Sequence, residues 1–224
     1  MPEMPEVQGL ADFLDRRVTG LRLTRAQPAA VSALRTVDPP IEALVGARAR
    51  GVARHGKFLD VATTTDADEP LHLVFHLAKA GWLRWCDTAP TAAAKPGRGP
   101  TALRVAFDDG SGFDLTEAGT RKALAVYVVR APADVPGIAR LGPDPLDPAF
   151  TRDTLAGLLA GRRTHVKGTL RDQSVIAGVG NAYSDEILHG ARMSPYATAA
   201  SLDDGEIDTL FAAIRDTLAD AVAT

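Results

Sequence analysis

Apolar residues change their period along the chain. Val7, Leu10, Ala11, Leu14 and Val18 recur at helical spacing, which predicts a helix from about Pro5 onward. Pro5 suits the start of such a helix because its missing N–H would be unpaired there, and Glu6 meets the positive end of the helix dipole. Beyond this point the period shortens to two. Residues 21–26 and 58–62 read as strands. LHLVFHLAKAGWLRW reads as a strand, a glycine turn and a second strand, with Leu71, Leu73 and Phe75 alternating. LRVAFDDGSGFDLTE places alternating apolar residues on both sides of Asp109-Gly110, a hairpin signal, and KALAVYVV continues the strands. Residues 87–100, with Pro90, Pro96, Gly97, Gly99 and Pro100, read as an exposed loop. One helix and roughly six to eight strands predict a two-layer β-sandwich or flattened barrel over residues 1–140.

Pro143, Pro145 and Pro148 then interrupt regular structure, so residues 141–150 read as a linker. From Thr151 the period becomes helical: Leu155, Leu158 and Leu159 form one face, residues 176–188 another, and residues 202–222 a long amphipathic segment that Ser201 can cap. The predicted fold class is α+β, a β-sandwich with an N-terminal helix followed by an all-α domain over residues 151–224.

Apolar residues at 46% and charged residues at 24% exclude a disordered chain. No apolar run reaches the length of a membrane span, and the N-terminus lacks the zones of a signal peptide, so a cytoplasmic location is expected. Cys86 is the lone cysteine, which excludes an internal disulfide and a Cys-rich zinc site within the chain. A net charge of −3 counts mildly against nucleic acid, but the charge is uneven. Arg48, Arg50, Arg54, His55 and Lys57 crowd one stretch, and Arg162, Arg163, His165, Lys167 and Arg171 another, while acids collect near the C-terminus. Each basic stretch is a phosphate-binding surface or a solvated face, and charge alone favours the second.

The most specific stretch is KGTLRDQSVIAGVGNAYSDEILHGARMSP. Gly178, Gly180 and Asn181 fall between an apolar segment and a helix starting near Ala182. Successive N–H groups in such a turn form an anion-binding nest, the helix N-terminus adds its dipole, and a phosphodiester is a natural ligand. This stretch resembles the helix–two-turn–helix element of the formamidopyrimidine-DNA glycosylase/endonuclease VIII family. MPEMPEV resembles that family's Met-Pro-Glu-Leu-Pro-Glu start, RHGKFL its basic-turn-lysine motif, HLAKAG its His-Leu-Gly-Met-Ser-Gly motif, and LGPDPL its interdomain Leu-Gly-Pro-Glu-Pro-Leu. Five motifs stand in the family's order.

The resemblance implies a bifunctional DNA glycosylase with abasic-site lyase activity, acting in base excision repair on double-stranded DNA with damaged bases or abasic sites, as a monomer. Pro2, exposed as the N-terminus once Met1 is removed, would be the nucleophile. Its α-amino group titrates near roughly 8, against about 10.4 for lysine, so more of it is unprotonated at neutral pH. Glu3 would supply acid/base help in opening the sugar ring, and Lys57 would contact phosphate near the abasic sugar. His76, Lys167, Gly180 and Asn181 would contact the DNA backbone. His76 as a satisfied core histidine and Lys167 as a helix-surface lysine are the competing readings. Glu6 orders the N-terminus.

Departures from the family bear on the substrate. Lys79 stands where the formamidopyrimidine branch has a void-filling methionine, and TEAGTRKAL offers only Arg121 in place of an Arg-Phe pair that reads the opposite base. An 8-oxoguanine preference therefore lacks its reading residues. The family's C-terminal finger is not found in the sequence up to residue 224, so no metal or cofactor is expected within this chain, and zinc only with a finger beyond it. The other functional reading is a non-catalytic DNA-damage-binding module that keeps the fold; Pro2, Glu3 and Lys57 would then be relics.

Overall fold

The computed structural model describes residues 1–95 and 99–223; Pro96, Gly97 and Arg98 of the expected loop lie outside the described residues. The chain forms two units. One comprises residues 1–2, 7–54 and 58–139, the other residues 3–6, 55–57 and 140–224.

The first unit is built on eight strands among the described residues: β1 (Leu23–Pro28), β2 (Arg48–His55), β3 (Phe58–Thr64), β4 (Pro70–His76), β5 (Gly81–Cys86), β6 (Thr101–Phe107), β7 (Gly112–Glu117) and β8 (Ala125–Val129). They make two four-stranded sheets, ordered β1-β6-β7-β5 and β2-β3-β4-β8. The Asp109-Gly110 hairpin joins β6 to β7, with Gly110 at φ 87° as the turn requires. The glycine turn after β4 does something different: β4 and β5 belong to different sheets, so the chain crosses from one layer to the other there. Leu59, Val61, Leu73 and Phe75 from one sheet share a core with Leu103, Val105, Phe113 and Leu115 from the other. The rings of Phe75 and Phe113 lie 6.0 Å apart. Helix α1 (Met4–Val18) closes this core with Val7, Ala11, Leu14 and Val18, the positions its spacing predicts. Its first turn starts one residue before Pro5 and belongs to the second unit.

The second unit holds α2 (Arg152–Leu159), α3 (Val166–Arg171), α4 (Asn181–Gly190) and α5 (Asp204–Ala223). Its core gathers Leu155, Leu159, Val166, Leu170, Ile187, Leu210, Ile214 and Leu218. Residues 176–180 are not helical, contrary to the periodicity, because Gly178 adopts φ +88° and α4 starts only at Asn181. Ser201 does not cap α5 either. Its hydroxyl donates to the Thr198 carbonyl, while Asp203 and Glu206 exchange reciprocal bonds, Glu206 N–H to Asp203 Oδ1 at 2.8 Å and Asp203 N–H to Glu206 Oε2 at 3.0 Å. This is the capping-box pattern with Asp in the serine place.

Candidate active site

Within the helical unit the turn at residues 178–181 is shaped around the start of the chain. Met4 N–H donates to the Gly178 carbonyl at 3.0 Å. A Cβ on Gly178 would overlap the Met4 side chain, and a Cβ on Gly180 would occupy the space of the Glu3 carboxylate. Gln173 braces the turn, its Oε1 accepting Gly178 N–H at 2.9 Å and its Nε2 donating to the Val179 carbonyl at 2.6 Å. Glu3, only 4% exposed, then accepts three backbone N–H bonds: from Gly180 at 2.8 Å, Ala182 at 3.0 Å and Tyr183 at 3.2 Å. First-turn N–H groups have no partner inside their own helix, and a buried carboxylate needs donors, so each satisfies the other. The anion nest expected here is present. Its occupant is the Glu3 carboxylate rather than a phosphodiester, and the Gly180 N–H is committed to it.

Lys57 follows Gly56, which takes φ +57° and lies against Leu141 and Ala177. Lys57 is buried at 7% exposure and so is not part of a solvated basic face. Burial pushes its pKa below the ordinary lysine value; the Glu3 and Glu6 charges oppose that shift, and Arg171 adds to it. Tyr183 is pushed up to about 12, by burial first and then by the Glu6 charge, so its phenol stays a donor. That O–H donates to Glu6 Oε1 at 3.2 Å, and Glu6 Oε2 accepts the Glu3 N–H at 2.9 Å. Glu6 thus orders the backbone of the residue next to Pro2. The arrangement offers a fixed carboxylate and an amine whose deprotonation burial eases.

The remaining expected residues fall into three sets. Pro2 is half-buried and bonded to Glu3, and Met1 before it is 52% exposed. In the helical unit Asn181 is exposed at the start of α4. Lys167 is not a free cation, because its Nζ lies 2.6 Å from Asp185 Oδ1. It lines a cleft of about 530 Å³ together with Arg163, His165, Arg171 and Tyr196, so the second basic stretch of the sequence converges on one concavity. In the β unit His76 is half-buried, its ring 4.8 Å from that of Phe58 and its Nδ1 accepting Ala78 N–H at 3.1 Å. Lys79 and Arg121 are exposed on loops tied together by a bond from Ala118 N–H to the Ala80 carbonyl at 3.1 Å. The structure therefore groups Glu3, Lys57 and Gly180 in one unit, and His76, Lys79 and Arg121 in the other. Sequence reasoning missed Gln173 and Tyr183. Both flank the glycine turn, and a polar side chain beside a non-helical buried turn is the signal that could have found them. Among the described residues no group of three His, Cys, Asp or Glu could hold a metal, and no helix is long and apolar enough to cross a membrane.

Two family models match the chain: the formamidopyrimidine-DNA glycosylase N-terminal domain over residues 1–126 and the formamidopyrimidine-DNA glycosylase H2TH domain over residues 141–224. A protein of Symbiobacterium thermophilum named formamidopyrimidine-DNA glycosylase is 37% identical, the match covering 99% of this chain and 70% of the relative. One of the same name from Acidiphilium cryptum is 35% identical over 100% of this chain and 77% of its own length. The crystal structure of the MutM (Fpg) protein from Thermus thermophilus is similar with a TM-score of 0.81 and 31% identity, covering 99% of this chain and 76% of that one. A Lactococcus lactis enzyme of that name, in complex with DNA containing Fapy-dG, has a TM-score of 0.85 at 24% identity, covering 99% and 79%.

Proposed function

Since the chain belongs to the formamidopyrimidine-DNA glycosylase family, and is a DNA glycosylase with abasic-site lyase activity in base excision repair, we propose that Pro2 is its nucleophile. With Met1 removed, the Pro2 secondary amine attacks C1′ of the damaged nucleotide. The N–C1′ bond forms, the glycosidic bond breaks with its electron pair on the departing base, and the amine loses its proton. Ring opening gives an iminium, whose positive charge draws electrons as the sugar loses its C2′ proton and then its phosphates. Glu3 takes up the proton the amine loses, passes it to the ring oxygen as the ring C–O bond breaks, and, again a carboxylate, accepts the C2′ proton, a role that needs a carboxyl held in one place. Lys57 pairs with a phosphate beside the abasic sugar. His76, Lys167 and Asn181 hold the DNA backbone, Lys167 after exchanging Asp185 for a phosphate oxygen. The substrate is double-stranded DNA carrying oxidised bases or abasic sites, and the place of action is the cytoplasm.

The observation that carries this reading is the triple N–H grip on Glu3. A residue retained as a relic has no need of a glycine whose missing side chain makes room for its carboxylate. Borohydride should trap a covalent adduct between the protein and abasic-site DNA, with the cross-link at Pro2 by mass. Pro2→Gly or a retained Met1 should remove most of it; full trapping in both would move the nucleophile to a lysine.

A further inference from the structure

The turn that carries Lys79 also presents an aromatic surface that the reading above leaves unused. Trp82 is 52% exposed, one residue into β5, which is the edge strand of its sheet. The chain's other tryptophan is half-buried and packs against the core. Trp85 stacks at 6.4 Å on Phe107, meets Phe13 edge-on at 5.9 Å, and donates its indole N–H to Asp87 at 2.8 Å. Alternation along β5 places Trp82 and Arg84 on the opposite, outward face, and both are exposed.

What surrounds Trp82 is stiff and basic. Gly81 N–H donates to the Leu77 carbonyl at 2.9 Å, Ala78 takes φ 56°, and a Cβ on Gly81 would overlap the Leu77 backbone, so the turn has one shape. Register sets Gly81 opposite Glu117 and Trp82 opposite Thr116, which brings the loop after β7 alongside. The Glu117 carboxylate accepts the Ala123 and Leu124 N–H groups at 2.7 and 3.0 Å, folding that loop back so that Arg121 stands exposed. The acids nearby are spoken for. Glu117 is buried with those two donors, and Asp114 is held by both arms of Arg104 at 2.7 and 2.6 Å. Lys79, Arg84 and Arg121 therefore give this edge a positive field around one flat ring.

Resting on the proposed reaction, we infer that Trp82 is the side chain that stacks on an unpaired base where the damaged nucleotide has left the duplex, with Lys79 and Arg121 holding the flanking phosphates. An indole supplies a stacking face that neither Lys79 nor Arg121 provides in the same way, and stacking on an aromatic tolerates any base. Fixed loops around it mean little ordering remains to be done on binding. This assigns the opposite-base contact to the first residue of β5 beyond the turn, not to the turn's own Lys79.

The test uses the full chain with Met1 removed and a duplex containing a tetrahydrofuran abasic analogue. Because Trp85 is packed and Trp82 exposed, quenching of tryptophan emission on binding reports Trp82, and Trp82→Phe should abolish it. Trp82→Ala should weaken binding about tenfold with an unchanged salt slope, since a stacking contact neutralises no phosphate, and Trp82→Phe should recover most of that loss. Thermal melting should not move for a half-exposed residue. Trp82→Ala binding within twofold of the parent, with no quench in the parent, overturns the assignment. Borohydride trapping by the parent is read on a second duplex with a natural abasic site, because tetrahydrofuran has no C1′ aldehyde from which an imine can form. Loss of trapping in the parent itself would instead strike the Pro2 reading, and a quench unaffected by which base lies opposite the analogue would keep the stacking while removing any part in discrimination.

Discussion

Two glycine turns, one in each unit, solve the same backbone problem with opposite outcomes. At residues 178–181 the missing side chains admit part of the chain's own start: Gly180 leaves room for the Glu3 carboxylate and Gly178 for Met4. At residues 76–81 the missing side chain of Gly81 admits only the Leu77 carbonyl, and the turn presents Lys79 outward, with Trp82 just beyond it on β5, without covering them. The first turn is filled by the protein. The second is left open. On the proposed reading, the carboxylate that must be positioned closely sits in the filled turn, and the contacts to a varying base sit on the open one.

Adding one methyl group at each turn should separate these two roles, and this is the largest effect expected. In Gly180→Ala the new Cβ meets the far end of the Glu3 side chain, which can swing away. Glu3 then loses charge-assisted bonds that count for about 1.5–3 kcal/mol each. The expected result is a fall of about 100-fold in the trapping rate of the folded protein, equivalent to about 2.7 kcal/mol of barrier, together with a lowered melting temperature. In Gly81→Ala the clash is with backbone, which cannot swing, so stability should drop by about 1–3 kcal/mol while the protein that remains folded still traps. Rate and melting measurements on the pair check this. If both variants lose stability and neither loses rate beyond it, the two turns are equivalent scaffolding.

How much of this was legible depends on what each residue contacts. Helix α1 and the β6–β7 hairpin were readable because local spacing and a local turn specify them. Gly178 and Gly180 were readable as special because no side chain fits there, but not as the receptors of Glu3, since the partner lies 177 residues away in sequence. The apparent helical period through Ile176 and Val179 misled for a related reason: both are buried in the helical unit's core, and burial imposes apolar residues on a turn as firmly as on a helix. Lys57 could be placed by its motif, while its burial could not be read from it, because the stretch around it is rich in arginine and looks solvated. The crossing of the chain between sheets after β4 was invisible as well, a strand–turn–strand pattern being identical whether or not the strands pair.

Lys57 offers a second, intermediate effect. Its pKa lies below the ordinary lysine value in the folded state, chiefly through burial. Between that lowered value and about 10.4 the unfolded chain binds more protons than the folded one, so stability should rise with pH across this window and be lost again as pH falls through it. Lys57→Met removes the titrating group and the buried charge together. It should flatten the alkaline part of the stability–pH curve, leave neutral-pH stability equal to or above the parent, and still reduce trapping sharply. Chemical denaturation at several pH values checks the slope. A parent curve with no rise toward high pH would mean that Glu3 and Glu6 offset the burial completely.

The smallest effect concerns the basic cleft of the helical unit, where the comparison of filled and open surfaces recurs within one feature. Lys167 is already paired with Asp185, and Arg171 lies close enough to Lys57 to lower its pKa. Among the described residues, Arg163, on the rim of the same cleft, has no acid partner in an ion pair. A cation that already holds a carboxylate gives up that attraction when it takes a phosphate, so its net contribution to DNA binding is small, whereas an unpaired one contributes in full. Each neutralised phosphate adds about 0.9 to the steepness of the log–log salt dependence. Arg163→Gln should therefore make the slope shallower by about 0.9, and Lys167→Gln by less. Asp185→Asn should restore Lys167 to the behaviour of Arg163 and steepen the parent slope. Titrations of the abasic-analogue duplex at four or more salt concentrations resolve differences of this size. Equal slope changes for Arg163→Gln and Lys167→Gln would show that the Lys167–Asp185 bridge opens freely on binding, and that this part of the helical unit is as open to its partner as the Lys79 turn.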